Sequence, residues 1–229
     1  EFTDVILDAR SVLWNGPMGV FEDPRFEAGT RAVAQAVADT GAFTVVGGGM
    51  AFTFLKAKGH RVGASLLEDD MVETCARLLE QPKPIHLPED VTALGPGGKL
   101  FEPEAGGEVR QAGVDLPDGW MGVDIGPGTA AVFGDVILEA GTVLWNGPMG
   151  VFEDPRFSAG TQAVAAAIAE TRAYTVVGGG DSAAAAKQFQ VDDQVDHVST
   201  GGGASLELLE QGDLPGLVAL RQSSTATAG

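Results

Sequence analysis

Short apolar runs alternate along the chain with segments whose apolar residues follow helical spacing. Flanking Gly, Pro and Asn residues bound the runs, which predict strands at 11–14, 85–88, 121–127, 142–145, 174–177 and 196–199. The periodic segments predict helices at 50–58, 68–80, 129–138, 181–188 and 204–210. Strands alternating with helices predict an α/β fold with a doubly wound, mainly parallel, Rossmann-like sheet in three layers.

No segment of the chain has the composition of an interdomain linker, so we predict one domain over residues 1–222. Residues 223–229 are small and polar and predict a disordered tail. The stretch 92–113 is rich in Gly, Pro and charged residues, and predicts an irregular excursion or a hairpin.

One segment occurs twice. Residues 4–49 align without a gap with residues 135–180, and 36 of the 46 aligned positions are identical. Each copy follows the pattern strand, helix, strand, which predicts a right-handed parallel crossover, and each ends in a triple glycine. Two copies separated by unrelated sequence do not form a solenoid array, and indicate one βαβ module present in two places.

Each copy also contains residues with a predicted local role. In the second copy, Asp154 and Pro155 stand where the crossover helix is expected to begin, and these residue types favour a helix N-cap and its first position. Trp14 and Trp145 close the first strand of each copy, and we expect them in the core rather than as stacking platforms for a base.

The composition limits the possible partners. There are 14 Lys and Arg residues against 32 Asp and Glu, a formal net charge of −18, which disfavours nucleic acid and anionic membranes. A bound phosphate must therefore be held locally by backbone N–H groups, a metal ion or a few cations. No run approaches the roughly 18 to 20 apolar residues of a membrane span, no signal peptide is visible, and Cys75 is the sole cysteine, so we expect a cytoplasmic protein.

Four predicted strands end in turns rich in Gly or Pro, at 126–127, 146–148, 178–180 and 200–203. Ligands of doubly wound sheets bind at the carboxyl ends of the strands, where glycine admits a phosphate and a following helix offers free N–H groups. Tight packing of a strand against a helix also selects glycine in a single turn. Convergence of several such turns on one edge favours a phosphate site.

Two carboxylates stand beside these turns, and each has two possible roles. Asp181 follows the second triple glycine and is either a helix cap or a ligand of Mg²⁺ beside a nucleotide. Glu153 is either a solvated carboxylate or an acceptor for ribose hydroxyls. The sequence contains neither a P-loop motif nor a dinucleotide-binding fingerprint.

In family order from about Gly47 to Leu220, the chain resembles the C-terminal, nucleotide-binding half of phosphoglycerate kinase. The segments with this resemblance are 47–57, 118–127, 143–153, 176–184 and 197–207. The resemblance implies ADP or ATP with Mg²⁺ as the ligand, and phosphoryl transfer between 1,3-bisphosphoglycerate and ADP by positioning and charge neutralisation.

The resemblance also implies roles for individual residues. Those bordering the adenosine are Asn146, Gly147, Pro148 and Met149, with Glu153 on the ribose and Gly47 and Gly48 near the adenine. Those near the phosphates are Gly179, Gly180, Asp181 and Ser182, with Asp181 on the metal side. Those facing the transferred phosphoryl group are Thr200, Gly201, Gly202 and Gly203.

The chain departs from the family pattern in four respects, one of which is that the stretch 92–113 is unlike the family and richer in glycine. The N-terminal domain that supplies the family's basic phosphoglycerate pocket is not seen. The lysine-bearing Gly-Gly-Ala-Lys-Val-x-x-Lys unit is missing, and the first repeat copy takes its place in the order. Gly128 replaces the usual lysine after Asp124-Ile125-Gly126-Pro127. We therefore expect weakened phosphate binding.

Three interpretations remain open. The chain is a nucleotide-binding domain with no kinase turnover alone, an engineered or recombined structural chimera without function, or a kinase half that works with a separate N-terminal domain as partner. A natural segmental duplication also explains the repeat. The first copy repeats the adenosine-side residues Asn15, Gly16, Pro17 and Glu22, but Met50 replaces the equivalent of Asp181. We therefore expect the first copy to be mainly structural.

Overall fold

The computed structural model describes residues 11–14, 43–81 and 85–199, with only the backbone described for 11–14 and Phe43. The strands of its main sheet are β1 (Ser11–Trp14), β2 (Phe43–Val45), β3 (Ile85–His86), β7 (Thr142–Asn146), β8 (Tyr174–Gly178) and β9 (His197–Ser199). Their order in the sheet is β3-β2-β1-β7-β8-β9, and all neighbouring strands are parallel. This is the doubly wound, mainly parallel sheet that the sequence predicts.

A small antiparallel sheet lies between β3 and β7 in the chain. Its strands are β4 (Asp90–Leu94), β5 (Val109–Gly113) and β6 (Met121–Ile125), in the order β5-β4-β6. The stretch 92–113 therefore forms the arms and tip of a hairpin, which confirms one of its two predicted forms. The antiparallel partner of β6 is β4, so the expectation that the 126–127 turn lies at the edge of the main sheet is wrong.

Five α-helices are described: α1 (Gly48–Ala57), α2 (Val72–Leu79), α3 (Pro127–Leu138), α4 (Ala159–Glu170) and α5 (Gly180–Gln188). The predicted helices at 50–58, 129–138 and 181–188 are confirmed, and the one at 68–80 forms as a 3₁₀ turn followed by α2. The strand predicted at 85–88 is only two residues long. The predicted helix at 204–210 and the tail lie outside the described residues.

The two repeat copies meet in the middle of the main sheet. Strands β1 and β2 come from the first copy, β7 and β8 come from the second, and β1 pairs with β7. The chain proceeds outward from β1 in one direction and from β7 in the other. Right-handed crossovers place α1 and α2, between β2 and β3, on the face opposite to α4 and α5, and β1 and β7 border the topological switch point.

The largest apolar core surrounds β7 and β8. Trp145, Val164 and Val177 are 0% exposed and belong to one cluster with Phe133 and Ile137 of α3. The predicted core position of Trp145 is confirmed, while the side chain of Trp14 lies outside the described residues. A separate cluster contains Phe54 of α1 and Cys75 of α2. No helix within the described ranges is long and apolar enough to cross a membrane.

Candidate functional site

The turns after β7 and β8 lie side by side at the carboxyl ends of the parallel strands. Asn146 ends β7 and lies opposite Gly178 in the sheet register. Beyond them, Gly147 and Gly179 have φ values of 89° and 93°, in the left-handed region that favours glycine. A Cβ on Gly179 would lie 3.2 Å from Oδ1 of Asn146. Glycine at this position therefore permits both the turn and the close approach of the asparagine.

A hydrogen bond joins these two turns. The N–H of Gly147 donates to Oγ of Ser182 at 2.5 Å, and Ser182 is 0% exposed in the first turn of α5. The indole Nε1 of Trp145 donates to the carbonyl of Gly147 at 2.8 Å. The backbone after β7 is thus fixed from both the helix side and the core side.

The N-terminus of α5 has no side-chain cap at its N-cap position. The N-cap is Gly179, and the next residue, Gly180, is exposed with no atom within 4 Å of the position that a Cβ would take. Asp181 is exposed in the first helical turn, and its side chain makes no hydrogen bond or ion pair within the described part of the chain. Free N–H groups beside an exposed carboxylate suit an anion that carries a metal ion.

The N-terminus of α3 contrasts with this arrangement, because a side chain already fills it. The carboxylate of Asp90 accepts hydrogen bonds from the N–H groups of Gly128 and Thr129, at 2.9 and 2.6 Å, and from the Thr129 hydroxyl. Burial would raise the pKa of Asp90, but these hydrogen bonds outweigh it and lower the pKa. The turn at 126–127 is therefore closed to a phosphate.

The loop from Met149 to Glu153 connects the core to the surface. The N–H groups of Met149 and Gly150 both donate to Oγ1 of Thr161, at 3.0 and 3.2 Å. The side chain of Met149 is 0% exposed and packs in the main core, whereas Glu153 is exposed. In this loop, Met149 can face a ligand only through its backbone, and Glu153 is free to use its side chain.

The buried carboxylate of Asp124 lies against Gly150 of the same loop. Oδ2 of Asp124 accepts a hydrogen bond from the N–H of Gly160 in the first turn of α4, at 2.7 Å, and Asp124 is only 3% exposed. Burial raises the pKa of Asp124 to about 7, although hydrogen bonds from Gly160 and Ile125 oppose the rise. A Cβ on Gly150 or Gly160 would lie 2.3 Å from Oδ1 of this carboxylate.

The expectation that Asp154 caps the crossover helix is wrong. Asp154 caps a 3₁₀ turn instead, accepting from the N–H of Arg156 at 3.1 Å. Helix α4 begins later, at Ala159, and its Gly160 N–H bonds to the distant Asp124. Pro155 occupies the first position of this 3₁₀ turn and has no backbone N–H. The turn therefore begins with one N–H group fewer that needs an acceptor.

The first triple glycine lies two strands away from β7. Gly47 is buried and extended at the N-cap of α1, and Gly48 has a φ of 56°. A Cβ on Gly49 would lie 2.5 Å from Cδ2 of Leu66, whose side chain is 65% exposed. This exposed apolar residue is absent from the sequence-predicted set, because a single leucine in a loop has no periodicity to distinguish it.

The structure brings together the predicted residues Asn146, Gly147, Gly179 and Ser182. Strand order places Gly47 and Gly48 on the same edge at a distance of roughly 10 Å from β7, at about 4.8 Å per strand. Pro148 is half-buried in the turn after β7. The phosphoryl-side residues Thr200, Gly201, Gly202 and Gly203, and the first-copy residues Asn15, Gly16, Pro17 and Glu22, lie outside the described residues.

Comparison with known proteins gives one family. The family model described as phosphoglycerate kinase matches residues 1–50 and residues 44–212. The phosphoglycerate kinase of Deinococcus radiodurans is 51% identical over 179 residues, covering 77% of this chain and 42% of the relative. That of Salinispora tropica is 54% identical over 178 residues, covering 77% and 43%. The chain thus spans less than half the length of these curated relatives.

Solved structures agree with this result. The phosphoglycerate kinase from Coxiella burnetii has a TM-score of 0.76 at 34% identity, covering 95% of this chain and 53% of that one. The enzyme from Pyrococcus horikoshii OT3 has a TM-score of 0.72 at 26% identity, covering 97% and 55%. With the family model matching across residues 1–212, the chain belongs to the phosphoglycerate kinase family.

Proposed function

We propose that this chain binds ADP or ATP with Mg²⁺ at the carboxyl edge of its main sheet, and that it does not turn over as a kinase on its own. The observation that carries this proposal is the joining of two turns by the bond from Gly147 to Ser182. This bond leaves Gly180 and Asp181 exposed at the start of α5, directly beside the adenosine-side turn.

The phosphates belong at the N-terminus of α5, where N–H groups and the helix dipole favour an anion. Asp181 would hold the Mg²⁺ that accompanies them and neutralises their charge, since carboxylate oxygen is a preferred magnesium ligand. Its exposure and its lack of a partner within the described residues leave it available for this role.

The adenosine belongs between the turn after β7 and the first triple glycine. The roughly 10 Å between β7 and β2 is a distance that a nucleoside can span. Leu66 supplies an exposed apolar surface beside Gly49, suited to the face of a purine. Exposed Glu153 accepts hydrogen bonds from the ribose hydroxyls.

We expect the affinity to be weaker than is usual in the family. The net charge of −18 repels a nucleotide polyphosphate, and Gly128 replaces a lysine that the family pattern contains. The first repeat copy also takes the place of the lysine-bearing unit. The backbone donors of the second copy remain, and these account for the binding that we propose.

Calorimetric titration with ADP in the presence of Mg²⁺ tests the proposal. We expect one nucleotide per chain and at least about a tenfold loss of affinity in Asp181→Ala, because a metal-bridged phosphate loses its anchor. Asp193→Ala, which removes an exposed carboxylate past the opposite, C-terminal end of α5, is the control and leaves binding unchanged. A folded protein that gives no heat at millimolar ADP contradicts the proposal and favours a structural chimera without function.

A second candidate is a kinase half that works with a separately supplied N-terminal domain. The chain covers 42% and 43% of the length of two relatives, and the remainder of each relative is the pattern for such a domain. A coupled assay of phosphoglycerate-dependent ADP formation, with that domain added, separates the two candidates. We expect no turnover above that of the added domain alone, because the lysine-bearing unit is replaced.

A further inference from the structure

The tip of the hairpin between β4 and β5 is fastened to the segment that follows Glu153. The N–H of Phe101 donates to Oδ2 of Asp154 at 2.9 Å, and Nη2 of Arg156 donates to the carbonyl of Lys99 at 2.8 Å. These bonds join positions more than 50 residues apart in the sequence. The Lys99 and Phe101 ends of these bonds lie in the stretch 92–113, which is unlike the family pattern.

Asp154 and Arg156 form the centre of this arrangement, which we call the Asp154 clamp together with the backbone of Lys99 and Phe101. Nε of Arg156 donates to Oδ1 of Asp154 at 3.0 Å, and Nη2 donates to Oδ2 at 2.6 Å. Asp154 is 2% exposed. Hydrogen bonds from the Arg156 side chain hold the pKa of Asp154 well below its usual range. A forked, charge-assisted pair of this kind fixes orientation as well as distance.

The clamp fixes the backbone on the C-terminal side of Glu153. On the other side, the N–H of Asp154 donates to the carbonyl of Val151 at 3.0 Å. Leu100 and Val151 both pack against the apolar cluster that contains Phe157. Glu153 itself is exposed and makes no hydrogen bond within the described part of the chain, so its position depends on its neighbours.

We propose that Asp154 and Arg156 are positioning residues, which hold Glu153 where its carboxylate can accept hydrogen bonds from the ribose of the nucleotide. They do so by binding the backbone of the hairpin tip. This inference rests on the proposed function. A carboxylate on a short turn keeps its direction only if the turn is anchored at both ends, and the clamp supplies the second anchor. Neither Asp154 nor Arg156 needs to touch the ligand.

The distinguishing measurement is the ratio of the affinities for ADP and 2′,3′-dideoxy-ADP. A variant that only weakens the fold lowers both affinities together. Loss of the positioning of Glu153 lowers the affinity for ADP and leaves that for the dideoxy nucleotide unchanged, because only ADP presents the hydroxyls. One or two lost hydrogen bonds correspond to about a 3- to 20-fold fall in the ratio.

The variants are Glu153→Gln, Arg156→Met and Arg156→Lys, each titrated with both nucleotides in the presence of Mg²⁺. Arg156→Lys retains the positive charge but cannot donate two parallel hydrogen bonds to Asp154. Because it is the milder change, it supplies the test if Arg156→Met does not fold. The first copy offers a matched control in an identical local sequence, because Glu22-Asp23-Pro24-Arg25-Phe26 repeats Glu153-Asp154-Pro155-Arg156-Phe157. We expect Arg25→Lys to leave the ratio unchanged.

The outcomes separate the inference from the function on which it rests. A fall in the ratio for Glu153→Gln and for an Arg156 variant, with Arg25→Lys unaffected, supports the clamp. A fall for Glu153→Gln alone overturns the clamp and leaves the proposed function standing. An unchanged ratio in Glu153→Gln, or no ADP binding at all, overturns the ribose role and the inference with it. Equal losses for both nucleotides in the Arg156 variants show a structural role only, and also overturn the inference.

Discussion

Oγ of Ser182 accepts a hydrogen bond from the N–H of Gly147 at 2.5 Å, so the start of α5 is tied to the turn after β7. The two residues are 35 positions apart, and the strands that precede them are neighbours in the main sheet. Since Ser182 is 0% exposed, its hydroxyl acts within the protein rather than toward solvent. The geometry of the candidate site therefore depends on a fully buried side chain.

Replacing this serine should loosen the site and lower the stability of the fold. Ser182→Ala leaves the half-buried Gly147 N–H without its acceptor, and the cost of about 1–3 kcal/mol for a fully buried unsatisfied donor is the upper limit for this variant. Urea denaturation measures the change in the free energy of unfolding. The control is Ser158→Ala, whose hydroxyl bonds to the Pro155 carbonyl in an exposed position. If the two variants lose the same free energy, the bond from Gly147 is not a significant support.

Removing the cap of α3 should also destabilise the protein. Asp90→Ala deprives the N–H groups of Gly128 and Thr129 of their acceptor, and losing an N-cap costs about 0.5–2 kcal/mol. Chemical denaturation of Asp90→Ala against the exposed neighbour Glu89→Gln isolates the contribution of the cap. An Asp90→Ala protein as stable as Glu89→Gln contradicts this role.

Local periodicity and turn residues were sufficient to predict most of the elements around the site. Strands β7 and β8 are buried along four of their five positions, and helices α3 and α5 have Gly or Pro at their starts, so each has a signal within its own sequence. The repeat strengthened this prediction, since the same pattern occurs twice. The Gly-rich turns after β7 and β8 follow from the same local rules.

Long-range pairing was not predictable in this way. The sequence of β6 resembles that of a parallel strand, but antiparallel pairing with β4 removes it from the main sheet. The cap of α3 comes from Asp90, nearly 40 residues away, and that of α4 comes from Asp124, 36 residues away. Any acidic residue in the chain could supply such a cap, so composition and spacing do not identify it. The exposure of Leu66 likewise depends on where the loop before α2 lies.

The small sheet offers a test of packing at a glycine. A Cβ on Gly122 would lie 2.2 Å from Cζ of Phe52, and the Gly122 N–H is held by Oγ of Ser65 at 2.9 Å. Gly122→Ala should therefore cost about 1–3 kcal/mol by overpacking. Gly113 lies in the same sheet with nothing within 4 Å of its Cβ position, so Gly113→Ala should be neutral or slightly stabilising. Thermal denaturation of the two variants decides, and equal melting temperatures contradict the packing argument.

The buried carboxyl of Asp124 should make stability depend on pH. Its pKa is about 7 in the folded protein, because of burial, against the ordinary 3.8 of an aspartate, so between these values the folded state holds a proton that the unfolded state releases. The stabilisation is complete below pH 4 and is lost as pH rises to about 7. Over this window, the free energy of unfolding should fall relative to Asp124→Asn, which stays neutral, by on the order of 4 kcal/mol at most.

Measuring unfolding at several pH values for both proteins isolates this single group, because every other carboxylate is common to them. Asp118→Asn, at an exposed position shortly before β6, is the matched control and should follow the wild-type curve. The absolute stability of Asp124→Asn matters less than the slope, since the amide retains an oxygen that can accept from the Gly160 N–H. A difference between wild type and Asp124→Asn that is constant from pH 4 to 7 means that the Asp124 carboxyl titrates alike in both states. In that case the burial of Asp124 against Gly150 and Gly160 does not raise its pKa.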